Sequence, residues 1–323
     1  MSNKKFKIVI TDCDHPSVDI EKKVLSTINS EPILESCRTE DDVIKVASDA
    51  DAVINQYAPL TRRVIQSLKK CKIITRYGVG VDNINLKAAT EHNIIVANVP
   101  DYCVDEVSTH AFSLILSCAR AITMLDRKLR EKKWDFTLAK PLFRTQGQTI
   151  GLFGLGRIAR MVVDKAAGFG FKVIAYDPYV SKTGSDVELV TFDRLFSDSD
   201  FLSIHAPLTE ETRHIIGEKE LKMMKNTAYL INTSRGPLVD EKVLYIALKE
   251  RWIAGAALDV MENEPPDWEN PLLSLENTII TPHISFYSEE SYVELKTKTA
   301  EAVLSVLIGN RPRSVVNPQV LNS

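Results

Sequence analysis

Short apolar runs alternate with amphipathic segments along the first hundred residues. Five runs have the length and β-branched content of buried strands: "KFKIVITD", "EPILES", "DAVINQ", "KIITRY" and "IIVANV". Helical periodicity fills the gaps, as in Ile20–Ile28 and in "TEDDVIKVASDA", where Thr39 and Asp42 form a helix start signal. Strands separated by helices of about ten residues predict βαβ units and a parallel sheet.

The same alternation restarts after residue 147. Strands are predicted at "QTIGLFG", "KVIAYD", "DFLSIHAP", "TAYLINTS", "IAGAALDV" and "NTIITPH", and helices at 157–168 and "VDEKVLYIALKE". One long apolar helix, 105–132, precedes this second unit, and an amphipathic helix at about 288–308 follows it. We therefore predict an α/β fold with two doubly wound parallel-sheet domains. The first comprises residues 1–100 and 289–323, and the second comprises 101–288.

Composition narrows the functional classes. The 323 residues suffice for two domains, and a net charge of −3 argues against a broad nucleic-acid-binding surface. The five cysteines contain no C-x-x-C pair, which is typical of reduced thiols in the cytoplasm. The sequence has no secretory signal and no stretch of 18 apolar residues, so we expect no membrane span. No metal site is expected.

A glycine-rich turn follows the first strand of the second unit. In "GLFGLGRIAR", Gly154 permits a tight turn, Gly156 lets the backbone approach a pyrophosphate, and Ala159 is small enough for helix–strand packing. The helix N-terminus then faces the anion. Asp177 ends the next strand, 18 residues after Ala159, where a carboxylate binds ribose hydroxyls and repels a 2′-phosphate. This arrangement predicts a Rossmann domain that binds NAD rather than NADP.

Polar residues follow several predicted strands of the second unit, at the edge where ligands bind in open parallel sheets. They are Asp177, His205, Thr233, Ser234, Arg235, Asp259, Glu264 and His283. Reducing a ketone by hydride transfer requires a proton, which a histidine can supply, and a nearby carboxylate fixes the histidine tautomer. Arginine binds the carboxylate of a keto acid through its fork of donors. Arg235, Glu264 and His283 supply these three groups.

The motifs together resemble the D-isomer-specific 2-hydroxyacid dehydrogenases. The matching segments are "RYGVGVDNIN", "GLFGLGRIAR", "HAPLTEET", "INTSRGPLVDE", "GAALDVMENEPP" and "TPHIS", which extend over nearly the whole chain. The resemblance implies that Arg235 binds substrate, that His283 is the acid/base and that Glu264 is its partner. It also implies that Asp259 holds the nicotinamide carboxamide, and that backbone amides of the "YGVG" turn hold the substrate carboxylate.

The predicted sites follow from these arguments. We expect a flavodoxin-like first domain that binds a small 2-keto or 2-hydroxy acid, and a second domain that binds NAD. The predicted substrate-binding residues are Tyr77, Gly78, Val79 and Arg235. The predicted cofactor-binding residues are Gly154, Gly156, Arg157, Ile158, Asp177, His205, Ala206, Pro207, Thr212, Thr233 and Asp259.

Two departures from the family pattern keep alternative functions open. The segment "SFYSEES" after His283 contains the aromatic pair Phe286 and Tyr287, and in this respect it is similar to the C-terminal-binding-protein corepressors. In the long helix, Thr109 occupies a position where many members of the family have an acidic residue. An NAD(H)-sensing binding protein is therefore one alternative to a 2-keto acid reductase. A 3-phosphoglycerate dehydrogenase is the other, and it requires additional cations near the first-domain turns, for which Arg62, Arg63 and Arg76 are the candidates.

The long helix carries more apolar side chains than one helix face needs, which predicts a homodimer formed through residues 105–130. These residues are Val107, Phe112, Leu114, Ile115, Leu116 and Ile122. We expect His110, on the same helix, to be packed or interfacial. His15, His92 and His214 are expected in loops or at helix ends.

Overall fold

The computed structural model describes residues 5–14, 17–184 and 187–322, so His15 lies outside the described residues. The chain divides into two compact units. Unit 1 comprises Met1–Cys103 and Ser288–Ser323, and unit 2 comprises Val104–Tyr287.

Unit 1 contains a five-stranded parallel sheet. Its strands are β1 (Ile8–Ile10), β2 (Pro32–Leu34), β3 (Ala52–Asn55), β4 (Ile73–Arg76) and β5 (Ile95–Ala97). They are arranged in the order β2-β1-β3-β4-β5, which is the flavodoxin-like order predicted for this part of the chain. The intervening helices are α1 (Asp19–Leu25), α2 (Glu40–Ala47), α3 (Arg62–Ser67) and α4 (Leu86–Glu91). The predicted start signal of α2 is confirmed, since Thr39 and Asp42 form a capping box.

Unit 2 contains a seven-stranded parallel sheet. Its strands are β6 (Thr149–Phe153), β7 (Lys172–Tyr176), β8 (Glu188–Leu189), β9 (Phe201–Ile204), β10 (Tyr229–Asn232), β11 (Gly255–Leu258) and β12 (Thr278–Ile280). The order β12-β11-β10-β9-β6-β7-β8 reverses direction at β6, which lies between β7 and β9. Such a switch point creates the crevice where doubly wound sheets bind dinucleotides.

The helices of unit 2 cover both faces of its sheet. They are α5 (Val104–Ala119), α6 (Ile122–Arg130), α7 (Arg157–Ala167), α8 (Phe192–Asp198), α9 (Glu218–Met223) and α10 (Glu241–Lys249). Successive strand residues point to opposite faces, so Leu230 belongs to one core and Ile231 to the other. The chain then returns to unit 1 through α11 (Glu289–Leu307), which packs against α1 and β4. The predicted α/β class with two parallel sheets is confirmed.

The predicted single helix over 105–132 is wrong. The helix ends at Ala119 and restarts at Ile122, because Ala121 adopts a left-handed conformation with φ of 52°. That conformation interrupts the helical hydrogen-bond ladder. The sequence pattern continues across the break and so concealed it. Among the described helices, none alone has the length and hydropathy to cross a bilayer; α5 and α6 satisfy that test only as a pair bent by 61°.

Candidate active site

The glycine-rich turn joins β6 to α7 in unit 2. Gly154 has φ of 91°, and a Cβ at this position would lie 2.9 Å from the backbone nitrogen of Ala206, so the turn requires glycine. A Cβ on Gly156 would meet no atom within 4 Å, so open space lies above this residue. Gly156 precedes the first turn of α7, and Ala159 is fully buried beneath the helix. These features form the cradle that a pyrophosphate requires.

Asp177 lies directly after β7, beside this turn. Its two carboxylate oxygens accept hydrogen bonds from the backbone amides of Leu155 and Tyr179, each at 2.9 Å. The carboxylate is therefore fixed by the glycine-rich turn itself. Arg160 of α7 donates to the carbonyl oxygen of Thr183 at 2.9 Å, which places a cation on the segment after β7. Arg160 precedes Asp177 in the chain, so the sequence after Asp177 gives no sign of this cation.

Two buried polar atoms at the carboxyl ends of β9 and β10 lack a partner within the described residues. They are Nδ1 of His205 and Oγ1 of Thr233. Buried polar atoms are normally hydrogen-bonded, so this pair fits a ligand that supplies the missing partners. The loop after His205 is held in shape by Thr212, whose hydroxyl donates to the carbonyl oxygen of Pro207 at 2.8 Å. The two unpartnered atoms and the open space at Gly156 agree with a bound dinucleotide.

Burial lowers the pKa of His205 from its usual 6.5 to about 4. Between pH 6.5 and about pH 4, this histidine is protonated in the unfolded chain but neutral in the folded chain. The free energy of unfolding therefore decreases as the pH falls through this range. In the native protein, this histidine lowers the free energy of unfolding by about 2 kcal/mol when the pH changes from 7 to 5. We expect the His205→Gln variant to lack this decrease. Denaturant unfolding at both pH values tests this, with the exposed His92→Gln as the control. An unchanged difference in His205→Gln would contradict it.

Asp259 organises the loop that carries His283. Its carboxylate is buried and accepts hydrogen bonds from the Thr281 hydroxyl at 2.5 Å, the Ile284 amide at 3.0 Å and the Ser285 amide at 2.9 Å. Thr281 gives its only hydroxyl proton to Asp259, so His110 Nε2, 3.1 Å away, must donate to Thr281. His110 is thus packed, but it also supports this loop, a contact that sequence reasoning missed.

His283 and Glu264 form a direct pair in unit 2. His283 Nδ1 lies 2.6 Å from Glu264 Oε2, and Glu264 Oε1 accepts from the Met261 amide at 3.0 Å. The backbone of His283 has φ of 50°, and its amide donates to the carbonyl oxygen of Asp259 at 2.8 Å. Such a φ is costly for a residue with a β-carbon and is held only by surrounding contacts. Nε2 forms no hydrogen bond within the described residues, so it is available to a ligand.

Arg235 follows β10 in a turn that contacts the Glu264 loop. A Cβ on Gly236 would lie 2.0 Å from the carbonyl carbon of Met261, so only glycine allows the two backbones to approach this closely. The Arg235 carbonyl oxygen accepts from the Asn232 side chain at 2.9 Å, and its Nη1 donates to the Ser234 carbonyl oxygen at 2.8 Å. The structure therefore packs the arginine turn directly against the segment that carries Glu264.

In unit 1, the predicted substrate turn uses some of its amides internally. The Tyr77 amide donates to the Asn55 carbonyl oxygen at 2.9 Å, and the Gly78 amide donates to the Arg76 carbonyl oxygen at 3.0 Å. The amides of Val79 and Gly80 donate to no acceptor within the described residues. Within the predicted "YGVG" turn, Val79 and Gly80 are therefore the residues whose amides remain available to a ligand.

Comparison with known proteins agrees with this geometry. A family profile described as "D-isomer specific 2-hydroxyacid dehydrogenase, NAD binding domain" matches residues 112–285. A glyoxylate reductase of Korarchaeum cryptofilum is 40% identical over 288 residues, which cover 86% of each chain. A D-3-phosphoglycerate dehydrogenase of Methanocaldococcus jannaschii is 41% identical over 316 residues; the match covers 96% of this chain but only 59% of that relative.

A solved structure of a D-lactate dehydrogenase from Aquifex aeolicus, complexed with NAD and lactic acid, superimposes with a TM-score of 0.88 at 26% identity. The superposition covers 96% of this chain and 99% of that one. The chain belongs to the D-isomer specific 2-hydroxyacid dehydrogenase family. Its cofactor is NAD, and it is an oxidoreductase, as the sequence predicted.

Proposed function

We propose that the protein is a cytoplasmic NADH-dependent reductase of small 2-keto acids, which also acts in reverse as a D-2-hydroxyacid dehydrogenase. The observation that carries this proposal is the 2.6 Å pair between His283 Nδ1 and Glu264, which leaves Nε2 of the histidine free. A histidine held in this way is suited to proton transfer at Nε2. All five cysteines are free thiols, which is typical of a cytoplasmic protein.

The chemistry assigned to the chain is a single proton transfer. NADH, when bound, supplies the hydride that adds to the keto carbon. Protonated His283 gives the proton on Nε2 to the keto oxygen as its double bond to carbon becomes single, and takes the proton back in the reverse direction. Glu264 keeps Nδ1 protonated and the ring oriented, since its own carboxylate is fixed by the Met261 amide. Arg235 binds the anionic substrate through its guanidinium.

The substrate carboxylate is assigned to the turn of unit 1. The free amides of Val79 and Gly80 are adjacent donors that suit one carboxylate, and Gly78 sets the turn with φ of 136°. We therefore assign residues 1–100 and 289–323 to substrate binding and residues 101–288 to NAD binding, with Gly154, Gly156 and Asp177 as the main cofactor contacts.

Two of the three cations considered for a phosphorylated substrate already have carboxylate partners in unit 1. Arg62 lies 2.5 Å from a carboxylate oxygen of Glu91, and Arg63 pairs with Glu40 at 3.0 Å and with Asp41 at 2.5 Å. A phosphate would have to compete with these carboxylates for two of the three candidate cations. Glyoxylate or hydroxypyruvate is the better substrate class, and the Korarchaeum relative named glyoxylate reductase matches along most of both chains.

A screen of NADH oxidation tests the proposal. We expect turnover with glyoxylate or hydroxypyruvate, and at least about tenfold lower kcat/KM with 3-phosphohydroxypyruvate, since one unpaired charge is worth about 1.4 kcal/mol or more. Preference for the phosphorylated acid would favour the dehydrogenase alternative. Tight NADH binding without any turnover would instead favour the sensor, whose docking surface would include the exposed Tyr287.

Cofactor preference is a separate prediction. Because the Asp177 carboxylate is fixed beside the glycine-rich turn, it repels a 2′-phosphate, and we expect kcat/KM for NADH to exceed that for NADPH by about tenfold or more. Asp177→Ser combined with Tyr179→Arg should reduce this ratio. Asp193→Ser, which removes an exposed acid of α8, is the control. A native preference for NADPH would contradict the assignment.

We also propose a homodimer, but with an interface different from the helix of residues 105–130 that the sequence suggests. Phe112, Leu114 and Ile115 of α5 belong to a hydrophobic core of unit 2, and Val107 is buried as well, so their apolar character needs no second subunit. The solvent-exposed apolar side chains of this region lie after the break between α5 and α6. They are Ile122, Leu129, Trp134, Phe136, Leu138 and Phe143. Trp134 and Phe136 are 89% and 77% exposed, which is unusual for side chains this large in a monomer.

Light scattering should therefore show a dimer at micromolar concentration. Trp134→Glu with Phe136→Glu should weaken dimerisation by about 10³-fold, since central aromatic residues of an interface contribute about 2 kcal/mol or more each. Trp268→Glu is the control, because Trp268 is also on unit 2 and is 80% exposed. A monomeric native protein, or equal effects of the two variants, would contradict the proposed surface.

A further inference from the structure

A charged cluster lies fully buried in unit 1. Lys296 of α11 and Glu21 of α1 have no exposed side-chain surface, and their charged atoms are 3.1 Å apart. The Tyr77 hydroxyl donates to the same Glu21 oxygen at 2.5 Å. Lys296 also donates to the Ser17 carbonyl oxygen at 2.5 Å and faces the rings of Tyr77 and Tyr292.

Stability alone does not account for this cluster. Desolvation of two charges costs as much as their attraction returns, and apolar side chains of similar volume would fill the space at least as well. Oε2 of Glu21 is buried and has no partner within the described residues, so the carboxylate is not even fully satisfied. The arrangement is better explained by the position in which it holds Tyr77.

Tyr77 connects the cluster to the substrate turn. Its amide is bonded to Asn55, its hydroxyl is bonded to Glu21, and its side chain is 2% exposed, so both ends of the residue are fixed. The next residue is Gly78, and the free amides of Val79 and Gly80 follow within the same turn. Burial, and then the negative charge of Glu21, raises the pKa of Tyr77 well above its usual value. The hydroxyl therefore stays a donor at working pH.

We propose that Glu21 and Lys296 are positioning residues, which act through the Tyr77 hydroxyl to hold the turn of residues 77–80 in the shape that binds the substrate carboxylate. Glu21 supplies the acceptor, and Lys296, 3.1 Å from the same carboxylate oxygen, keeps that oxygen directed at the tyrosine. This inference rests on the proposed keto acid reductase function and adds two residues that lie far from the turn in the sequence.

The test is a set of variants that keeps the interior filled. Lys296→Met alone leaves a buried carboxylate without a counter-ion and is expected to fold poorly. Glu21→Leu with Lys296→Met replaces both charges by apolar groups and should fold, as thermal unfolding will show. This double variant should raise KM for the keto acid about tenfold, within the range of coupling between contacting residues. KM for NADH should stay within about twofold of native, because the assigned cofactor residues are in unit 2.

Two further variants separate positioning from packing. Glu21→Gln with Lys296→Met keeps an oxygen that accepts from Tyr77, and we expect it to restore KM to within about threefold of native. Tyr77→Phe should raise KM in the native protein but add nothing in the Glu21→Leu, Lys296→Met background, because the hydroxyl has already lost its acceptor there.

The outcomes distinguish this inference from the proposed function. Native turnover with an unaltered KM in the folded Glu21→Leu, Lys296→Met variant overturns the inference alone. Equal effects of Tyr77→Phe in both backgrounds do the same, because the hydroxyl then acts without the cluster. Absence of keto acid turnover by the native protein overturns the proposed function, and the inference with it.

Discussion

Replacing His283 by glutamine is expected to lower kcat for keto acid reduction by about 10²–10⁴-fold, the usual contribution of general acid catalysis. Nε2 is the ring atom left free by the bond to Glu264, so its removal takes away the proton donor and leaves the glycine-rich turn and Asp177 untouched. Affinity for NADH, measured by fluorescence titration, should therefore stay close to native.

A second histidine–carboxylate pair provides a matched control for this experiment. His214 pairs with Glu262 on the same unit, and both are accessible to solvent. We expect His214→Gln to keep kcat within about threefold of native, since an exposed pair contributes little. Glu264→Gln should cause an intermediate loss, because its amide oxygen still accepts from Nδ1 but carries no charge. A loss below tenfold in His283→Gln would show that another group donates the proton.

Replacing Arg235 by glutamine is expected to lower kcat/KM by about 10²–10³-fold, mainly through KM. Loss of one charge from a buried, hydrogen-bonded pair costs about 2–5 kcal/mol. In the proposed function, the Arg235 charge contacts the anionic substrate before as well as during the reaction. Arg235→Lys should recover only part of the loss, because an ammonium lacks the planar fork of donors.

Steady-state kinetics at varied keto acid concentration will show whether the Arg235 variants change KM or kcat. Arg251→Gln is the control: Arg251 is an exposed arginine of unit 2 that precedes β11, at the amino edge of the sheet rather than the carboxyl edge. An Arg235→Gln variant with native KM and reduced kcat would assign the arginine to the transition state alone. A variant with native kcat/KM would remove it from the site.

The elements that sequence reasoning predicted well are those with a strong local pattern. The apolar runs of β6 and β10 are buried on both faces and stand out in the sequence. By contrast, β8, α8 and α9 were not predicted. β8 has only two residues, neither of them buried, and α9 buries only Leu221. Such elements form because their neighbours in the fold stabilise them, which local periodicity does not record.

The sequence by itself determined the fold class, the glycine-rich turn and the candidates Arg235, Glu264 and His283. These follow from local rules, since apolar periodicity marks the strands and ligands bind where parallel strands end. Only the tertiary structure decided which side chains meet. His283, with a left-handed backbone conformation, contacts Glu264, which lies 19 residues earlier in the chain. Lys296 contacts Glu21 and also Ser17, which lies 279 residues earlier. Contacts of this kind depend on how distant helices and loops pack, so no local pattern in the chain specifies them.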